Sequence, residues 1–239
     1  MKVLSAIAVL ASALGAQTLG EPYFLMRFTQ GEPSAIQPYQ DFNANIDVVG
    51  MQAITGETQT WLIEPHSSFA SIEALDQAMS AARAVQARRM IGVYRIALSY
   101  RPDEAIKLMR SARYFQISIF RTRPGADVDF AELIRLRKAA FDNMNVDRPE
   151  LGYQILSGAG LGTYIFLAPL PSLRTLDNSF ARMSNSPDGP SQSPRRQESR
   201  QIQWEADITR ELMLCRVQPG ISHVTEAFSA ADPEFWRRR

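Results

Sequence analysis

Two histidines, His66 and His223, are the side chains of this sequence whose chemistry is tuned to neutral pH. His66 follows Glu64-Pro65 at the end of a strand-like run, where an imidazole could ligate a metal or a haem iron, or act as a general base. The same position also suits a solvated loop histidine. His223 stands in a short helical stretch near the carboxyl end. Neither lies in a His-x-x-x-His or similar ligand spacing, so no metal site is expected. The sequence holds no Gly-x-Ser-x-Gly elbow, no phosphate-cradling Gly-rich loop ahead of a helix and no Cys-x-x-Cys pair. The acid pairs Asp103/Glu104 and Asp127/Asp129 fall at predicted helix starts, where the helix dipole accounts for them.

The remaining candidates come from an internal repeat. Met51-Gln52-Ala53-Ile54-Thr55-Gly56 matches Tyr153-Gln154-Ile155-Leu156-Ser157-Gly158 at an offset of 102. Trp61-Leu62-Ile63 matches Tyr164-Ile165-Phe166 at 103, and Ser71 to Met79 matches Ser172 to Phe180 at 101. A looser match sets Ser99-Tyr100-Arg101-Pro102 against Arg216-Val217-Gln218-Pro219 at 117. Gln52 and Gln154 are the long polar side chains matched in mid-strand. They would orient a small ligand if they face the space between two sheets, or form the polar half of an alternating strand if they do not. Trp61 and Tyr164, also matched, suit a ligand platform or a core, and Tyr94, Arg95 and Tyr100 could line a pocket. Asp76 and Asp177 recur beside an apolar helical stripe and read as structural.

The elements that must position these residues repeat as strand, helix, strand, strand, helix, strand. In the second copy Tyr114–Arg121 alternates and is rich in aromatic and β-branched residues, which predicts a strand. Pro124-Gly125 turns the chain, Asp127 caps a helix with Phe130, Leu133, Ile134 and Phe141 on one face, and Asn143 and Pro149 end it. Tyr153–Ser157 and Thr163–Leu167 form a hairpin around Gly158-Ala159-Gly160. Ser172 caps a second helix, and Leu212–Val217 is the last strand. In the first copy the strands are Tyr23–Thr29, Gln52–Thr55, Gln59–Ile63 and Val93–Tyr100, with a first helix within Ala35–Val49. Short extra helices follow each last strand, at Asp103–Ser111 and Ile221–Ala230. The fold class is α+β: two tandem ferredoxin-like βαββαβ repeats, residues 22–112 and 113–236. Residues 184–200, rich in Ser, Pro and charge, read as a disordered polar insertion in the second copy, which shifts the last offset.

The run Tyr114-Phe115-Gln116-Ile117-Ser118-Ile119-Phe120-Arg121-Thr122-Arg123-Pro124-Gly125, with Phe130 on the helix behind it, resembles the opening of NIPSNAP-type and antibiotic-monooxygenase-type domains. These belong to the dimeric α+β-barrel superfamily, whose unit is ferredoxin-like. The resemblance covers both repeats in outline, while the first has Gln30-Gly31-Glu32-Pro33 in place of the Pro-Gly turn. It implies that each four-stranded sheet has helices on one face and packs its bare face on another sheet. The partner sheet is either the other copy in this chain or a copy in a second chain, giving a monomer or a homodimer. The signature marks no catalytic residue. The duplicated length is also similar to that of the exported chlorite-dismutase group, in which one histidine holds haem. That likeness would make His223 the haem ligand; otherwise no cofactor is expected.

Composition narrows the class. Of 239 residues, 45% are hydrophobic and 21% charged, as in a folded globular protein, and beyond the first twenty residues nothing is apolar enough for a transmembrane helix. Lys2 followed by the uncharged run Val3–Ala16 predicts a signal peptide over residues 1–16, hence export to a periplasmic or extracellular space. Loss of that segment removes one Lys from the 26 basic residues and leaves the 25 acidic ones, so the exported chain is formally neutral and no nucleic-acid partner is expected. Cys215, the single cysteine, excludes an internal disulfide. Two functions follow from these features: small-molecule binding or cofactor-independent catalysis between the sheets, or a non-catalytic interaction module using the outer surface or the 184–200 insertion.

Overall fold

The computed structural model describes residues 24–35, 46–78, 87–178 and 194–237. Residues 1–23, with the expected signal peptide, and 36–45, most of the range Ala35–Val49 in which the first helix of repeat one is expected, lie outside the described residues, while Val48 bridges to His223 and Val49 opens a strand. The described residues form eight strands: β1 (Leu25–Gly31), β2 (Val49–Ala53), β3 (Thr60–His66), β4 (Arg88–Tyr94), β5 (Tyr114–Arg121), β6 (Leu151–Ser157), β7 (Thr163–Leu170) and β8 (Thr209–Val217). They close into one antiparallel barrel in the order β1-β3-β2-β8-β5-β7-β6-β4. Each repeat contributes the same four-strand order, so the two bare sheet faces meet within one chain. The helices are α1 (Phe69–Ala78), α2 (Pro102–Met109), α3 (Asp127–Asn143), α4 (Pro194–Glu205), α5 (Glu226–Ser229) and α6 (Pro233–Trp236).

Strand alternation decides what fills the barrel. Phe28, Met51, Trp61, Ile63, Phe115, Ile117, Tyr153, Ile165, Leu167 and Met213 point inward and form one buried cluster. An eight-stranded barrel has room for little more than such side chains. Ala105, Ile106 and Met109 of α2, with Phe228 of α5 and Trp236 of α6, join the same cluster. The space between the sheets is therefore core.

Two seams join the repeats, and they are built alike. At one, β2 pairs with β8, setting Met51 against Val217; at the other, β4 pairs with β6, setting Tyr94 against Tyr153. Beside each, a one-turn helix (Ile96–Leu98 or Pro219–Ile221) ends in a serine, Ser99 or Ser222. The backbone N–H of Gly152 donates to Ser99 Oγ at 2.9 Å, and that of Gly50 donates to Ser222 Oγ at 2.9 Å. Both glycines mark close approach: a Cβ on Gly50 would sit 2.6 Å from the Ile221 side chain and 2.7 Å from its carbonyl oxygen, which requires glycine, while one on Gly152 would press on Phe166 at 3.1 Å. This pairing puts Ser99 opposite Ser222, an offset of 123, and corrects the expected 117.

The structure moves other boundaries too. β4 begins at Arg88 and ends at Tyr94, where Val93–Tyr100 is expected, because the chain turns into the one-turn helix at Ile96. Of the expected disordered insertion, residues 184–193 lie outside the described residues, and 194–200 form the first turns of α4. Asp127 is the first residue of α3, and its cap position is Ala126. Register also changes one equivalence: Met51 faces Trp61 and Tyr153 faces Ile165, so Trp61 corresponds to Ile165 at 104 and not to Tyr164.

Candidate functional site

The residues marked by the sequence do not converge. Trp61 is wholly buried inside the barrel, and its indole N–H has no hydrogen-bond partner among the described residues. Tyr164, one register step away, points out of the barrel, stacks on Phe130 with ring centroids 4.0 Å apart and donates its hydroxyl to Asp127. Burial, then that bond, raises the pKa of its phenol. Gln154 Nε2 donates to the same Asp127 carboxylate at 3.2 Å, and Gln52 Oε1 accepts from Gln218 at 3.2 Å. Both glutamines thus lie on outer faces at the seams, away from the space between the sheets. His223 is paired through its backbone with Val48. Tyr94 packs on Tyr153, Arg95 is exposed, and Tyr100 donates to Asp142 at 2.9 Å.

His66 is the exception, and the solvated loop position does not hold for it. It is the last residue of β3 and is 0% exposed. β3 places Glu64 and His66 on its outer face, and the register sets Arg27 of β1 directly across from Glu64. Arg27 Nε donates to Glu64 Oε2 at 2.7 Å, and its Nη1 donates to Asp76 Oδ1 of α1 at 2.6 Å. Asp76 is thereby a partner of this cluster, a role its recurrence in the sequence does not reveal. Leu25, set across from His66 in the β1–β3 register, forms a small buried apolar cluster with Ile72 and Val93. Repeat two has Gln116, Ala168 and Leu170 at the matching register, so the polar group belongs to one repeat alone.

The start of α1 fixes the imidazole. Ser68 accepts from the Ser71 backbone N–H at 3.2 Å as an N-cap. Ser71 Oγ donates in turn to the Ser68 carbonyl at 2.7 Å. With its one proton so placed, Ser71 Oγ, 3.2 Å from His66 Nδ1, acts as an acceptor for the ring. The proton of a neutral His66 therefore sits on Nδ1, and Nε2 carries the lone pair. Nε2 is buried with no hydrogen-bond partner among the described residues, 3.9 Å from Glu64 Oε2. A buried ring nitrogen without a hydrogen-bond partner is unsatisfied.

Among the described residues no group of three His, Cys, Asp or Glu could hold a metal ion, and no helix is long and apolar enough to cross a membrane. The space between the sheets does not fit a haem, because Trp61, Phe115 and Tyr153 fill it. Cys215 is buried in the same core, and burial pushes its thiol up to about 12, which rules it out as a nucleophile at neutral pH.

No protein-family profile matches the chain, and no curated protein matches it. Among solved structures, an anthrone oxidase-like protein aligns with a TM-score of 0.55 at 11% identity, over 84% of this chain and 93% of the other. A variant of chlorite dismutase from Candidatus Nitrospira defluvii aligns with a TM-score of 0.49 at 8% identity, over 92% of this chain and 98% of that one. At such identities the likeness is one of fold. With two four-stranded sheets of like strand order closing one barrel, the chain has the dimeric α+β-barrel fold, carried in a single polypeptide.

Proposed function

We propose that this is an exported barrel protein that binds a small organic molecule at His66, on the outer face of the first sheet, and can take a proton from it. The observation that carries the reading is the fully buried Nε2 of His66, which has no hydrogen-bond partner among the described residues. A ligand with an acidic hydrogen, such as a phenol, an enol or an activated C–H, binds there when the side chains covering His66 open to admit it. Transfer of its proton to Nε2 leaves an imidazolium beside the Glu64 carboxylate, 3.9 Å away. Ser71 holds the tautomer, and Arg27 holds Glu64 in place.

Native mass spectrometry of the protein, isolated beside a His66→Leu variant, tests the reading. A small molecule bound to the first and absent from the second supports it; no bound molecule, or equal binding to both, refutes it. Amino-terminal sequencing of the exported protein tests the export: a chain beginning near Gln17 is expected, and an intact Met1 start would remove that part.

A further inference from the structure

The second repeat carries a different polar group, independent of His66. Arg137 of α3, Arg148 of the loop after α3 and Arg210 of β8 converge on the outer face of the second sheet, around the rings of Phe120 and Phe141. Arg137 lies 5.7 Å from the Phe120 centroid and 4.8 Å from that of Phe141. Arg210 lies 5.4 Å from Phe120, and Arg148 lies 5.0 Å from Phe141. Among the described residues the one ion pair made by these three guanidiniums is Arg137 Nη2 to Glu150 Oε2, at 2.7 Å. Three cations face one carboxylate.

Arg148 is the odd member. It is 9% exposed, makes no ion pair or hydrogen bond among the described residues, and its Nε is buried without a partner. Arg137 Nη1 is likewise buried and unpartnered. Burial, followed by the charge of Arg137, lowers the pKa of Arg148, with Glu150 opposing. A guanidinium stays charged in proteins, so burying one without a counter-charge is costly unless an anion completes the site. Arg210 is exposed at the mouth of the group, and its Nη2 donates to the buried Ser118 Oγ at 3.1 Å.

We propose that this cluster is a binding site for a compact oxyanion carrying up to two negative charges, entering past Arg210 and held at depth by Arg148 and Arg137. The excess of cations over carboxylate sets the charge of the ligand, and planar guanidiniums match a phosphate or carboxylate group edge to edge. The two chemistries are separated by the arms of the test.

Isothermal titration of the full chain with inorganic phosphate and with succinate, at ionic strength matched by sodium chloride, reads the site. Saturable binding of at least one anion is expected. Arg148→Met should weaken it on the order of 10- to 100-fold, the effect of losing a charge-assisted bond. Arg174→Gln, which removes one exposed positive charge elsewhere, should leave affinity unchanged. Melting curves of each variant confirm that it is folded, and Arg210→Gln gives a second variant at a less buried position. Absence of binding by both anions, or equal loss in Arg174→Gln, overturns the proposal and leaves Arg148 as a packing residue against Phe141.

Discussion

Replacing His66 by Leu should make the protein more stable. The imidazole has one bond, Nδ1 to Ser71 at 3.2 Å, and one unsatisfied buried nitrogen, Nε2. Losing the bond costs about 0.5–1.5 kcal/mol, whereas removing an unpaired buried acceptor returns about 1–3 kcal/mol. Leucine fits the backbone there, since the other repeat has Leu170, wholly buried, at the matching register. The net gain is about 1 kcal/mol, which for a chain of this size raises Tm by roughly 2–4 °C. Urea unfolding should show a higher midpoint with an unchanged m value. A midpoint lowered by the equivalent of about 1 kcal/mol or more, at constant m, would refute the reasoning. It would mean that the imidazole stabilises the fold and that Nε2 has a partner in the native protein.

Glu64→Gln should act in the opposite sense, lowering stability by about 1–3 kcal/mol through loss of a buried charge-assisted partner, Arg27 keeping its pair with Asp76; calorimetry showing no loss would refute the stabilising role of the Arg27–Glu64 pair. Gly50→Ala should cost about 1–3 kcal/mol by overpacking, more than Gly152→Ala, because the new Cβ meets the Ile221 backbone at 2.7 Å and not only side chains; equal losses in denaturant midpoint would contradict the seam geometry. Cys215 should resist alkylation in the native state at pH 8 and react on unfolding. Its thiol ordinarily ionises near 9 and in the folded chain at about 12. The native state therefore holds the proton longer, and the stability it contributes is intact below pH 9 and falls as pH rises from 9 towards 12. Cys215→Ala should flatten that stretch of the pH–stability curve, and an unchanged slope would count against the thiol as its cause.

The duplicated strands were legible because period-2 alternation and turn residues act locally. The face assignment of β7 was less so. Trp61-Leu62-Ile63 and Tyr164-Ile165-Phe166 look alike in either register, yet a slip of one residue sends Trp61 into the barrel and Tyr164 out of it. The seam had a usable signal in Gly50 and Gly152, which share the offset of 102 and mark a close approach of two backbones. His66 was misplaced for a physical reason. Pro65 suggested a strand end, but it stays within β3, and the Arg27 that shelters the cluster lies 37 residues from Glu64. The guanidinium group was harder still, since Arg137, Arg148 and Arg210 come from a helix, a loop and a strand with no common spacing.

The covalent join between the repeats also bears on how such a barrel can specialise. In a pair of identical chains, every substitution appears twice, and a buried charge placed on one sheet is imposed on the other. Here the seams keep their matched glycines and serines, while the outer faces are free to diverge. One face carries an imidazole where the other has Leu170, and the other gathers three guanidiniums that the first does not copy. A fused barrel can therefore hold two unlike chemistries back to back, separated by a core that both halves share.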